Sequence, residues 1–227
     1  MRIQQTGQSF NGIHIASAKA KVNGSVVNYD LYKLTQNDSA FIEKLANSIN
    51  LPELWHGMEN YNYLFWAKTI NCFLGLANAK DMETILIAKD KVPCGGMNYK
   101  KNSSSVEVGY RVTWPVEPDK KAPYAGTILY LNLFKNAIKD GIYNIKTVAT
   151  RQGPFNVVGK CYQLGFSSRG GDNFNERMGI SNERMSKALQ RYSSNIELDS
   201  VNSDEDKNLF DVLSIVNKWF LNSKIFI

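Results

Sequence analysis

The sequence predicts an α/β fold in which helices cover both faces of a mixed, mostly antiparallel central sheet. Three observations predict it. Two alternating apolar runs meet at Asn23-Gly24, and three further strand-like runs follow one another between residues 84 and 112. The last of these joins a strand over 142–149 through an amphipathic helix. Asn-Gly between alternating runs is a hairpin signal, because both turn residues must tolerate positive φ. Strand, loop, helix and strand make a βαβ unit, which implies parallel pairing and a right-handed crossover. Antiparallel hairpins beside one parallel unit require a mixed sheet with a helix layer on each face.

The elements follow in order. Strands are expected over 13–22 and 25–34, with Ile13 and Ile15 on one arm and Val27, Tyr29 and Leu31 alternating on the other. Thr35 to Asp38 breaks the second strand and offers caps. Phe41, Ile42, Leu45 and Ile49 then recur at helical spacing until Pro52. A second helix over 59–79 carries Tyr61, Tyr63, Phe65, Trp66, Phe73 and Leu74, which either line a pocket or pack on the sheet. Strands follow at Thr84–Ala88, Gly95–Lys100 and Val106–Val112, parted by the Asp90-Lys91 turn and the Asn102–Ser105 cluster. The helix over 127–140 presents Ile128, Leu131, Phe134 and Ile138 on one stripe, with Gly141 as its C-cap. Residues 151–166 are helix-compatible, 167–175 read as a Ser/Gly/Asn loop, and two more helices are expected at 181–192 and 204–216. Ser203 and Asp206 give the last helix a capping-box start.

Composition narrows the classes. The chain of 227 residues is 43% hydrophobic and 21% charged, enough for one well-cored domain with additions. No apolar run reaches bilayer-spanning length, so no membrane partner is expected. The polar first ten residues lack the apolar core of a signal peptide, so a cytoplasmic location is expected. Cys72, Cys94 and Cys161, with His14 and His56, show no metal-ligand spacing and no disulfide framework. The net charge of +6 is uneven: residues 1–166 carry +7 and residues 167–227 carry −1. That bias fits an anionic cofactor, weak nucleic-acid affinity, or plain solubility charge.

The most informative stretch runs from Val116 to Gly126. It follows a strand-like run and opens into the 127–140 helix, so its end presents unpaired N–H groups and the positive end of a helix dipole. Lys120 and Lys121 add charge there, making a site for phosphate.

These residues resemble the Gcn5-related N-acetyltransferase superfamily, of which the chain reads as a divergent member. That family carries V-x-P and then R/Q-x-x-G-x-G/A. Val116 and Pro118 match the first part, Lys121 the R/Q position and Gly126 the final position, while Tyr124 stands at the first glycine. Val106-Glu107-Val108-Gly109-Tyr110 is similar to the family's E-I-G-Y run. Cys161-Tyr162-Gln163-Leu164-Gly165-Phe166 is similar to its Y-x-x-L-G-F run, with Tyr162 one place late and Cys161 at the tyrosine position.

The resemblance covers roughly residues 25–166. It implies an acyl-CoA N-acyltransferase-like domain there and leaves outside it an N-terminal strand or hairpin extension over 1–24 and a helical C-terminal extension over 167–227. It further implies acetyl-CoA, or another acyl-CoA, as cofactor. Lys120, Lys121, Ala122, Tyr124, Ala125, Gly126 and Thr127 would cradle the diphosphate. A backbone N–H between Trp114 and Val116 would polarise the carbonyl, and Asn156 would touch the pantetheine. The acceptor implied is a primary amine of unstated identity, a small molecule or a peptide or protein. Glu107 is the candidate base, with an ordinary surface carboxylate as the alternative. Alternation puts it on one face with Gly109 and Arg111. Tyr162 is the candidate acid for the leaving thiolate, and Cys161 either faces the site or is a small buried hydrophobe. The C-terminal helices are candidates for a lid, a homodimer contact or a partner-binding face. Two rival readings stay open: an acyl-CoA-binding or interaction module without catalysis, and a basic nucleic-acid-binding protein. No metal is expected.

Overall fold

A computed structural model describes residues 10, 12–49, 60–77, 79–114, 122–152 and 155–201, leaving aside the side chains of 47–49 and 60–67. The expected order of elements is present. Strands β1 (Ile13–Val22) and β2 (Ser25–Lys33) precede helices α1 (Ser39–Ile49) and α2 (Asn60–Leu76). Then come β3 (Glu83–Lys89), β4 (Val92–Lys101), β5 (Ser105–Thr113), α3 (Ala125–Lys139) and β6 (Asn144–Thr150). The chain continues through α4 (Val157–Gln163), β7 (Ser167–Gly171), β8 (Asn175–Ser181), α5 (Asn182–Tyr192) and β9 (Ile196–Ser200).

Among the described residues the strands form one nine-stranded sheet in the order β7-β8-β6-β5-β4-β3-β2-β1-β9. Every pairing is antiparallel except β5 with β6, the pair joined through α3. The turns behave as their residues dictate. Asn23 and Gly24 take φ of 48° and 81°, and Asp90 and Lys91 take 49° and 67°.

Strand alternation divides the core. Tyr32, Leu86, Val112 and Trp114 point to the face covered by α1 and α2, where Phe41, Ile42, Leu45, Ile70 and Phe73 meet them. Leu31, Ile85, Ile87, Met97, Val108 and Ile145 point to the other face, against Ile128, Leu131 and Phe134 of α3, Leu164 at the C-cap of α4 and Met185 of α5. Phe73, from the aromatic run of α2, is fully buried with its ring centroid 6.5 Å from that of Trp114, so it packs on the sheet.

Two regions differ from the sequence reading. Residues 167–175, expected as a loop, form β7 and the start of β8, and this hairpin completes one edge of the sheet. Its first strand is short, exposed and interrupted by an irregularity between Ser168 and Gly171, so it carries no apolar alternation to read. The helix expected at 181–192 is α5, but the chain then returns to the far edge of the sheet as β9, which pairs with β1. The helix expected at 204–216 lies outside the described residues.

The C-terminal ends of α3 and α4 are both closed by glycine. After α3, Ile142 N–H donates to the Ala137 carbonyl at 2.8 Å and Gly141, at φ 70°, donates to Ile138 at 3.2 Å. After α4, Phe166 N–H donates to Cys161 at 3.1 Å and Gly165, at φ 96°, donates to Tyr162 at 2.9 Å. These paired bonds are Schellman motifs, which need a left-handed residue that glycine adopts without steric cost. The Leu-Gly-Phe run is therefore the cap of α4. Its Phe166 enters the core edge-on to Tyr130 at 5.2 Å.

Candidate functional site

β5 and β6 run side by side only from Ser105 and Asn144 to Val108 and Thr147. Beyond that point β5 continues to Thr113 and β6 to Thr150 without pairing, so the two strands part and the sheet opens. The cause lies on the opposite side of β5. Its register against β4 shifts between Tyr99–Val108 and Met97–Arg111, which puts an extra residue into β5 at Gly109-Tyr110. The fully buried Asn98 fills this bulge. Its Oδ1 accepts from Tyr110 N–H at 2.8 Å, and its Nδ2 donates to the Phe73 carbonyl at 2.9 Å. One amide thus fixes the bulge to the end of α2.

The bulge overturns the expected alternation. Glu107 pairs with Lys100, and Arg111 pairs with Met97, which belongs to the α3-face core. Val106 and Val108 also face α3, so Glu107 faces the α2 side and Arg111 the α3 side. Glu107 is exposed, with Lys100 and Lys146 across its two ladders. It stands just short of the opening.

Trp114 is placed differently from expectation. It is buried, its Nε1–H donates to the Pro93 carbonyl at 2.7 Å, and its backbone N–H donates to Cys94 at 2.9 Å. Both of its donors serve the ladder with β4, so Trp114 cannot supply the carbonyl-polarising N–H. Ladder alternation turns the N–H groups of Arg111 and Thr113 the other way, toward the opening. The sequence reading missed these two, because the bulge that sets their parity has no sequence signature beyond Gly109.

The opening leads to the start of α3. Tyr124 is the N-cap residue, at φ 62° and ψ −3°, and its carbonyl accepts from Ile128 N–H at 2.8 Å. This is the left-handed conformation that a glycine takes freely, so the tyrosine keeps the glycine backbone and turns its ring against the α3-face core. The preceding turn is held by Ala125 N–H on the Ala122 carbonyl at 3.3 Å and by the Tyr29 hydroxyl, which donates to the Pro123 carbonyl. Ala125 is buried, and by the geometry of a helix start the N–H groups of Gly126 and Thr127 have no partner within α3. Val116, Lys120 and Lys121 lie outside the described residues.

Arg111 enters this space from β5. Its guanidinium carbon is 5.2 Å from the Tyr130 ring centroid. Its Nη1 is 3.0 Å from the point where a Cβ on Gly126 would stand. Cys161, on the inner face of α4, is 1% exposed; burial raises its pKa, although Arg111 nearby opposes the rise.

The other nominated residues are turned aside. Tyr162, one position on, is 47% exposed, and its hydroxyl donates to Glu176 Oε1 at 2.6 Å. Glu176 is 5% exposed and also meets Arg151 Nη2 at 3.2 Å. The hydrogen bond to Glu176 raises the Tyr162 pKa and holds the Glu176 carboxyl below its ordinary range. The phenol proton therefore points at a carboxylate on β8. Asn156 caps α4, its Oδ1 accepting from Gly159 N–H at 2.7 Å.

A cavity of about 350 Å³ lies at the other end of α3, lined by Lys33, Glu83, Tyr99, Asn136 and Asp140 among others. A 15-residue helix separates it from Tyr124, so it is no part of the opening. Among the described residues there is no group of three or more His, Cys, Asp or Glu side chains able to hold a metal, and no helix long and apolar enough to cross a membrane.

The sequence matches no family model and no curated relative. Solved structures do match. Apo FdhC, a nucleotide-linked sugar GNAT, aligns at a TM-score of 0.50 with 16% identity, covering 73% of this chain and 93% of that one. The PaiA N-acetyltransferase of Thermoplasma acidophilum, in complex with coenzyme A, aligns at 0.46 with 18% identity, covering 67% and 98%. The spermidine N-acetyltransferase of Vibrio cholerae, in complex with CoA and spermine, aligns at 0.42 with 16% identity, covering 70% and 98%. At these identities the likeness is one of fold. The described chain has the acyl-CoA N-acyltransferase-like fold of the Gcn5-related N-acetyltransferases.

Proposed function

We propose that this protein is a divergent Gcn5-related N-acetyltransferase that takes an acyl group, acetyl in the simplest case, from acyl-CoA to a primary amine by direct attack. The observation that carries the reading is the parting of β5 from β6 immediately ahead of the α3 N-terminus. An extended thioester arm needs a slot with backbone donors, and a diphosphate needs N–H groups with positive potential beyond the slot. Both needs are met in chain order. When bound, the acyl-CoA supplies the activated carbonyl.

The residues then divide the work. The N–H groups of Arg111 and Thr113 are preorganised donors for the carbonyl oxygen, and a fixed donor is worth most where charge develops. Gly126 and Thr127 present N–H groups to the diphosphate, and Lys120 and Lys121 precede them in the sequence. Glu107 stands on the α2 side of the gap, where an amine reaches the opening without crossing α3. A free amine of pKa about 10.4 is protonated at neutral pH and needs a base such as this one. Tyr162 serves as acid only by giving up its bond to Glu176, and a thiolate is a weak enough base to leave without it.

One observation favours a second reading, an acyl-CoA-binding module without catalysis: the only phenol nominated as acid is committed to Glu176. A nucleic-acid role is less well supported, since Lys33, Lys100, Lys101 and Lys187 are each paired with a carboxylate. Thiol release from acetyl-CoA, followed across peptides, polyamines and aminoglycosides, separates the first two. Turnover with any amine, lost in Glu107→Gln at neutral pH and partly restored at high pH, supports the enzyme. Cofactor binding with no turnover supports the module.

A further inference from the structure

Among the described residues the side chain of Arg111 is a cation without an acid. Among the described residues its contact is the face of Tyr130 at 5.2 Å, and no carboxylate there lies within ion-pair distance of it. It is half-buried and comes against Gly126 in the first turn of α3. The helix dipole is positive there as well, so two positive potentials meet in a partly desolvated place. Such an arrangement is costly unless an anion completes it. Its neighbours do not supply that charge: burial raises the pKa of Tyr130 to about 12, and Cys161 is raised by burial too.

We propose that Arg111 is a diphosphate-binding residue that closes the cradle from the β5 side. The proposal rests on the acyl-CoA reading. The guanidinium carbon lies over the Tyr130 ring at 5.2 Å, and a guanidinium edge can donate two parallel N–H bonds to phosphate oxygens. Gly126 leaves room for it: a Cβ at that position would stand 3.0 Å from Nη1, so the guanidinium would have to yield by a few tenths of an ångström. The strand bulge at Gly109-Tyr110 is equally necessary, because without it Arg111 would project from the opposite face of the sheet.

The test is calorimetry on the full chain with three probes: CoA, ADP as the adenosine diphosphate end without the arm, and pantetheine as the arm alone. Arg111→Met is expected to weaken CoA and ADP about tenfold or more, the scale of lost charge-assisted hydrogen bonds, and to leave pantetheine unchanged. Arg111→Lys recovers part of the loss, since it restores the charge and not the planar fork. Gly126→Ala weakens CoA binding in the wild-type background and adds little to Arg111→Met. If Arg111→Met does not fold, as judged by circular dichroism, Arg111→Lys and Gly126→Ala carry the test.

The proposal is overturned if wild type binds CoA and these variants bind it equally well or better, which would make the guanidinium a bystander or an obstruction. It is also overturned if pantetheine affinity falls as much as ADP affinity. If wild type binds neither CoA nor ADP, the acyl-CoA reading fails and takes this proposal with it.

Discussion

Tyr124 holds φ at 62° in the turn that opens α3, a conformation that disfavours side chains and β-branched ones most. Asparagine tolerates it by bonding locally, whereas valine does not. Tyr124→Asn is therefore expected to stay within about 1 kcal/mol of wild type, and Tyr124→Val to lose about 1–3 kcal/mol, in urea melts. Equal losses in the two variants would mean that the ring's packing, and not the backbone, sets the stability of the turn. The tyrosine was visible in the sequence as a departure; its conformation was not, because a propensity scale reads Tyr as a residue of ordinary φ.

Tyr162 illustrates a different limit. Helical rotation at a shifted motif gave the warning, but the partner, Glu176, is 14 residues on, in β8, a strand with no counterpart in the sequence reading. The structure makes a titration prediction here. Tyr162 first, then Ser168 and Arg151, hold the Glu176 carboxyl below its ordinary value. A carboxyl depressed on folding contributes stability that is present above its unfolded pKa and is lost as pH falls through the folded one. Tyr162→Phe should raise the Glu176 value, seen by carboxyl NMR, and acid unfolding should begin at a higher pH. An unmoved carboxyl resonance would show that Tyr162 does not hold it.

At the scale of elements, the bulge in β5 is the feature on which the opening depends, and Asn98 is its keystone. Asn98→Ala leaves the Phe73 carbonyl and the Tyr110 N–H buried without partners, each costing about 1–3 kcal/mol. The expected loss is about 2–4 kcal/mol in equilibrium unfolding, with weakened CoA binding under conditions where the variant remains folded. Unchanged stability would mean that the bulge is held by other contacts. Long periodic elements such as α3 were readable because their apolar stripe is also their buried face. The Asn23-Gly24 and Asp90-Lys91 turns were readable from local chemistry alone. The bulge was not, because it arises from a contact between β5 and a side chain of β4. β7 and β9 escaped because each is five residues long, and its place is set by the neighbouring strand more than by its own pattern.

At the scale of the molecule, both ends of the described chain meet on one edge of the sheet. β7 closes one edge, α5 packs across α3, and β9 then pairs with β1 at the opposite edge. Lys135 of α3 donates to the Leu198 carbonyl of β9 at 2.9 Å and ties this return to α3. The fold class and order of elements were legible because hairpin, βαβ unit and apolar faces all agree. The site was legible only as a loop and a resemblance. Its working geometry, with Arg111 and Thr113 facing the gap and Trp114 facing away, follows from ladder parity across the whole sheet.

The central claim is that the gap between β5 and β6, with the start of α3 behind it, receives an acyl-CoA. Titration calorimetry of the intact protein with CoA tests it most directly. The account predicts one CoA per chain, with affinity that weakens as salt is raised because the diphosphate is held by charge. No binding at about millimolar CoA, an affinity so weak that no useful contact remains, would contradict it.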